Sequence, residues 1–287
     1  MLRRKRDAPG ADGGGEGTAP SPATSSAGSG DPLAPSLEAR SLTLAWEGGP
    51  DVVRDVSLHV GSGEVVCLVG RSGCGKTTIL HALSGLTRPV SGTVLLHGRD
   101  VTGTPGQVSY MLQKDLLIPS KRIIDNVCLP LVVGGMPRAE ARAKAEPLME
   151  RFGLAGTEER WPGELSGGMR QRAAFMRTYL MGNDVVLLDE PFSALDALTR
   201  TDMRGWYCRM SAELSLATLA ITHDVDEAVS MASRIYVLRG NPSGGVPSTI
   251  AREVVVDRPE GASAPEEFAL TPAFLEAKRE VLSLLGG

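Results

Sequence analysis

Aromatic residues make up only 4% of the 287-residue chain, cysteines number four, and no long apolar run or surplus of basic charge is present. Each shortage excludes something. Cys67, Cys74, Cys128 and Cys208 form no CxxC pair and no Cys/His metal spacing, so a disulfide framework and a zinc module are both ruled out and a reducing compartment is expected. A bilayer-spanning helix needs about 20 mostly apolar residues, whereas the strong apolar runs here are as short as Val65–Val69 and Val185–Leu188. The basic start Met1–Arg6 leads into acid, glycine and proline rather than an apolar stretch, so it is not expected to act as a signal peptide. A soluble chain that reaches any membrane through a partner is the expectation. With 30 basic and 34 acidic residues the net charge is −4. That leaves no basic footprint for a phosphate backbone, and no nucleic-acid partner is expected.

Residues 1–37 are expected to form a disordered, low-complexity tail. Gly, Ala, Pro and Ser dominate positions 8–36, and Leu33 is the one large apolar residue there. Such a segment cannot bury enough surface to offset its ordering entropy. Residues 38–287 are expected to form one domain. Leu42, Leu44 and Trp46 alternate with polar or small residues, as strands do. Val65–Val69, followed by glycine, reads as a strand buried on both faces, hence part of a parallel sheet covered by helices. A helix follows from Lys76, with Ile79, Leu80, Leu83 and Leu86 on one face. Residues of about 114–182 read as mostly helical, with Pro147 expected to kink or split one helix. A second buried strand, Val185–Leu188, ends in two acids, and helix and strand then alternate to about residue 238. The fold class is α/β.

Three segments carry chemistry. Gly70-Arg71-Ser72-Gly73-Cys74-Gly75-Lys76-Thr77, with Thr78 next, fits G-x-x-x-x-G-K-[ST] between a buried strand and a helix start. Glycines let backbone N–H groups turn inward as an anion nest, and the helix N-terminus adds positive potential. Lys76 is placed to reach the β- and γ-phosphates, and the Thr77 hydroxyl to ligate Mg²⁺. In the second segment, the strand Val185–Leu188 puts Asp189 at its carboxyl end, beside the crevice where open sheets bind nucleotides, with Glu190 next to it. Asp189 suits Mg²⁺, and Glu190 suits the activation of an attacking water. In the third, Leu165-Ser-Gly-Gly-Met-Arg-Gln-Arg172, Ser166 at a helix N-cap and Gly167 and Gly168 after it form a second anion-receiving terminus. One nucleotide's phosphates are already cradled by the Lys76 loop. The second terminus therefore predicts a head-to-tail pair of copies, each completing the other's site.

These segments, in this order, resemble the ATP-binding subunit of ABC transporters over roughly residues 38–282. The resemblance implies a phosphate-loop fold with a RecA-like core, a small antiparallel β subdomain and a helical signature subdomain. It also implies ATPase activity with ATP and Mg²⁺. Gln113 matches a residue that senses Mg²⁺ and couples to the permease, Asp196 a loop across the dimer, His223 a switch histidine on the γ-phosphate, and Trp46 an aromatic that stacks on adenine. Read locally, Gln113 and His223 could each be a strand-end polar residue, Asp196 a helix cap and Trp46 a core aromatic. The stretches Leu165–Arg172, Asp189–Arg200 and Thr222–Ala228, with a closing helix over Phe274–Leu285, are similar to nitrate/sulfonate/taurine-type importers. That group implies a second copy of the ATPase, integral membrane permease subunits, an extracytoplasmic substrate-binding protein and a place on the cytoplasmic face of the membrane. One departure is Leu117-Ile-Pro-Ser120, where such importers often carry a tryptophan. An exporter subunit, a permease-free ABC ATPase and a non-hydrolysing nucleotide-binding scaffold are the rival readings.

Overall fold

The computed structural model describes residues 35–46, 48–259 and 265–286. Most of the expected tail, residues 1–34, lies outside the described residues, and so does the basic start. Among the described residues ten strands form one sheet: β1 (Leu37–Ala45), β2 (Asp51–Val60), β3 (Val65–Gly70), β4 (Ser91–Leu96), β5 (Arg99–Asp100), β6 (Ser109–Met111), β7 (Val185–Asp189), β8 (Ala217–Thr222), β9 (Arg234–Asn241) and β10 (Val246–Val255). The helices are α1 (Lys76–Leu83), α2 (Ile123–Val127), α3 (Leu129–Val133), α4 (Arg138–Arg151), α5 (Gly167–Tyr179), α6 (Ala197–Glu213), α7 (Val225–Met231), α8 (Pro265–Phe268) and α9 (Pro272–Gly286).

The strand order is β5-β4-β1-β2-β10-β9-β3-β8-β7-β6. From β9 to β6 all neighbours are parallel, and β3 lies between β9 and β8. The first four strands are antiparallel to one another. The two halves join at β10, which pairs antiparallel with β9 and meets β2 in parallel at Ser248 opposite Val53. Side chains along β3 alternate between two cores. Val66 and Leu68 pack with Ile79, Leu80 and Leu83 of α1 and with Leu42, Val56 and Val94 of the antiparallel half. Cys67 and Val69 pack on the opposite side, in the core built from α2, α4, α5, α6 and α7. Burial on both faces is why β3 and β7 read as unbroken apolar runs rather than alternating ones.

Residues 123–179 hold the helices α2, α3, α4 and α5. Pro147, however, neither splits nor ends α4, which runs unbroken over 14 residues. Its buried stripe is Ala141, Ala145 and Met149, one turn apart. Pro147 and Ala143, whose carbonyl loses its partner, both lie on the exposed side, where water can take up that carbonyl.

Candidate active site

The phosphate loop leaves the carboxyl end of β3 and turns into α1. Two conformational demands explain its glycines. Gly73 and Gly75 have φ of 79° and 101°, a region that favours glycine. A side-chain carbon at Gly70 would sit 2.7 Å from the Cys74 Sγ and 2.8 Å from the Leu238 carbonyl oxygen. Lys76 is only 6% exposed, and its Nζ donates to the carbonyls of Gly70 at 2.8 Å and Arg71 at 3.1 Å, so the ammonium lies folded along the inside of the loop. Cys74 faces the core, and burial pushes its thiol above the ordinary range.

β7 lies two strands from β3, with β8 between them, and ends at Asp189. Burial raises the Asp189 carboxyl above the usual range. The Tyr110 hydroxyl donates to Oδ2 at 3.3 Å and pulls the other way, as does the nearby Thr77 hydroxyl to a smaller extent. A buried carboxylate beside a threonine hydroxyl is an all-oxygen donor set of the kind a hard divalent cation takes, and these two residues fit Mg²⁺. Glu190 follows with φ 45°, in the left-handed region that costs a non-glycine residue roughly 1–2 kcal/mol. Its N–H donates to the Ile221 carbonyl at 3.0 Å, which holds the turn. The carboxylate is gripped on both oxygens: His223 Nδ1 lies 3.1 Å from Oε1, and Gln113 Nε2 donates to Oε2 at 3.3 Å. Gln113 Nε2 also reaches the Ser193 Oγ at 3.4 Å, and that hydroxyl donates to the Glu190 carbonyl at 2.9 Å. With the amide nitrogen turned to Glu190, the Gln113 oxygen is the atom left to ligate a cation.

Ser166 caps α5 by accepting from the Met169 N–H at 3.3 Å. A side-chain carbon at Gly168 would meet the Thr199 methyl at 3.0 Å, so the small residue lets α5 approach α6. Gln171 Nε2 donates to the Pro191 carbonyl and ties α5 to the segment after Glu190. Asp196 caps α6, accepting from the Thr199 N–H at 3.1 Å; hydrogen bonding from the Thr199 hydroxyl and then from that N–H holds its carboxyl below the usual range. The local reading as a cap is thus realised. Trp46 is 71% exposed just past β1, which removes the core reading for it. The stretch after Gln113 is fastened to the helical layer. Arg177 donates to the carbonyls of Asp115 at 2.5 Å and Leu116 at 2.8 Å, Arg170 pairs with Asp115 at 3.3 Å, and Asn126 bonds Ile118 through both N–H and carbonyl. Tyr110 and Arg177 are parts of this arrangement that sequence reading did not single out. Tyr110 alone left a trace, as the polar-tipped member of the strand before Gln113.

Against this geometry, known proteins are informative. The sequence model of the ABC transporter family matches residues 53–193. A formylaminopyrimidine import ATP-binding protein, ThiZ of Halalkalibacterium halodurans, is 38% identical over 204 residues, which cover 71% of this chain and 80% of that protein. This chain belongs to the ABC transporter ATP-binding family. Two more relatives of the ABC cassette are a sulfate/thiosulfate import ATP-binding protein of Gloeobacter violaceus, 37% identical over 80% of this chain and 70% of that protein, and a nitrate import ATP-binding protein of Synechococcus elongatus, 34% identical over 81% of this chain and 35% of that protein. The dimeric bacterial ABC transporter cassette MJ0796 matches with a TM-score of 0.64 at 25% identity, covering 77% of this chain and 99% of that one. The same cassette bound to ADP and phosphate after hydrolysis matches at 26% identity, with the same TM-score and coverage. The ABC chain described here binds ATP and is an ATPase. Among its described residues no helix is long and apolar enough to cross a membrane.

Proposed function

We propose that this ATPase powers the import of a small solute, working as a pair of copies on the cytoplasmic face of permease subunits that an extracytoplasmic binding protein supplies. Support for import comes from the relatives, whose names specify import of formylaminopyrimidine, sulfate or thiosulfate, and nitrate. Their solutes differ while the ATPases align, so solute choice is assigned to the permease and binding protein. Nitrate, sulfonate, taurine or a related small solute remains the class proposed.

The observation that carries hydrolysis is the Glu190 carboxylate held between His223 and Gln113 at the end of the strand that also presents Asp189. In the proposed cycle, the loop of Gly70–Thr78 and the Lys76 ammonium take the triphosphate of ATP and Trp46 takes the base. Thr77, Asp189 and the Gln113 oxygen would hold Mg²⁺, which when bound offsets phosphate charge. Ser166, Gly167 and Gly168 of the second copy close on the same nucleotide, with Asp196 at the joint between copies. Glu190 then orients and polarises water, and His223 stabilises charge at the γ-phosphate. The segment after Gln113, tied down by Arg170 and Arg177, carries closure to the permease.

Glu190→Gln keeps the side-chain shape and both neighbours while removing the base. It is expected to bind ATP, accumulate a closed dimer visible by size-exclusion light scattering, and lose nearly all phosphate release. Turnover at the parent rate would reject Glu190 as the base.

A further inference from the structure

Behind the two loops that frame Glu190, the structure contains a joint that neither the motifs nor the relatives assign. We propose that Arg200 is a positioning residue for hydrolysis: its guanidinium locks the 193–196 turn to the His223 segment, with Asp224 as its counterpart. This rests on the reading of His223 and Glu190 as hydrolytic residues.

Arg200 sits in the first turn of α6, just past the Asp196 cap. Its guanidinium forks in two directions: Nη2 donates to the Leu195 carbonyl at 3.0 Å, and Nη1 donates to Asp224 Oδ2 at 3.3 Å. Leu195 is the residue before the Asp196 cap, and Asp224 is the residue after His223. Asp224 is itself committed on its other atoms. Oδ1 accepts from the Glu227 N–H at 3.1 Å and caps α7, while its own N–H donates to the Thr222 hydroxyl at 3.0 Å. His223 thus stands between two residues that are bound to each other, and the outer one is bound to Arg200. Any displacement of the 193–196 turn is carried through Arg200 to the backbone that presents the histidine.

The chemistry selects arginine. Two acceptors lying on separate segments need a planar group with several donors in fixed directions, and the single ammonium of lysine does not reproduce that. The surroundings point the same way. Glu227 is 3% exposed and faces Arg204 and Arg200, and its Oε1, like the Nε atoms of both arginines, is buried without a hydrogen-bond partner. An apolar cluster would hold α6 on α7 with less desolvation. A charged cluster with unsatisfied atoms suits a joint whose partners change during a cycle rather than a static plug.

Arg200→Lys, Asp224→Asn and the double variant are compared with the parent and with His223→Ala in the full chain, reading kcat, KM for ATP, nucleotide affinity and melting temperature. Asp224→Asn retains an oxygen to cap α7 while turning an amide N–H₂ toward Arg200. Each single variant is expected to lose about tenfold or more in kcat with KM changed less than about twofold, since small misplacements of a reacting group are costly while binding is untouched. The double variant is expected to be no worse than either single one, because both break the same link. A kcat within twofold of the parent for Arg200→Lys, or losses that multiply in the double variant, would overturn the proposal. So would recovery of parental kcat when the variant is assayed well below its melting temperature, which would mark the role as structural. Loss in His223→Ala with full activity in Arg200→Lys rejects the joint alone. Full activity in His223→Ala rejects the underlying reading of the histidine.

Discussion

Glu227 offers a test in which structure sets both sign and size. Burial pushes its carboxyl up from 4.5 to about 7; the Asp224 charge adds to the rise, while Arg204, the Thr222 hydroxyl and Arg200 oppose it. Other charged or titratable groups near it are Cys67 on β3, whose thiol burial raises, and Asp226 on α7, which pairs with Lys278 of α9. Between those two values the folded chain keeps a proton that the unfolded chain has released. The stability this group contributes is therefore full below about pH 4.5, falls as pH rises through about 7, and is flat above. A rise from 4.5 to about 7 corresponds to roughly 3 kcal/mol. Glu227→Gln holds the shape and cannot ionise. Relative to the parent it is expected to gain little near pH 5 and about 3 kcal/mol above pH 8, or a melting-temperature gap widening by about 6–12 °C for a domain of this size. Urea unfolding of nucleotide-free protein at pH 5.5, 7 and 8.5 measures this, since bound nucleotide would add its own stabilisation. A variant-minus-parent difference that stays constant with pH, or shrinks as pH rises, would show that the buried carboxyl does not titrate as argued.

Two further outcomes follow from exposure. Trp46→Ala is expected to leave stability within about 0.5 kcal/mol, because the ring is mostly in solvent, yet to raise KM for ATP about tenfold through lost stacking. Trp46→Phe should restore most of the affinity, and binding of inorganic tripolyphosphate should not change. Equal ATP affinity in the alanine variant would remove Trp46 from the site. Cys74, 2% exposed with its thiol pushed up by burial, should react with iodoacetamide more slowly than half-buried Cys208. Mass spectrometry follows both, and ATP binding should fall in step with Cys74 modification; full affinity after stoichiometric alkylation of Cys74 would refute the claim that a group added there blocks the nucleotide.

The parts of the fold that were legible in the sequence are those in which one segment states its own environment. Val65–Val69 and Val185–Leu188 had to be apolar throughout because both faces are covered, and that is visible without a neighbour. β10 was not read as a strand because most of its length is exposed; Ser248 and Val254 are its buried positions, too sparse to set a period of two. β4 begins Ser-Gly-Thr and has only Val94 and Leu96 buried, and β5 is two exposed residues, so the antiparallel edge leaves little local trace. At Pro147 the split that the pattern allows does not occur. The rule against proline inside a helix assumes a carbonyl that stays unpaired, and on an exposed face it need not.

The same division runs through the site. Anion-binding backbone requires glycines in left-handed or crowded positions, so the 70–77 loop and the Ser166 turn announce themselves by composition. Asp189 and Glu190 are visible because a strand end places them at the crevice, whereas His223 is named by the family resemblance. The bonds that set their posture are not written in any one segment, even where, as for Gln113, the resemblance names the residue. Tyr110 bonds Asp189 across 79 positions, Gln113 bonds Glu190 across 77, and Arg200 reaches Asp224 across 24. Each of these bonds depends on which strands and helices become neighbours, and an arginine one turn into a helix reads as an ordinary solvated charge until α6 and α7 are seen side by side. The chemical groups of this ATPase are therefore local in origin while their alignment is tertiary. Substitutions that change activity without touching nucleotide should concentrate in the second class, on α6, α7 and β6 rather than in the glycine-rich loops.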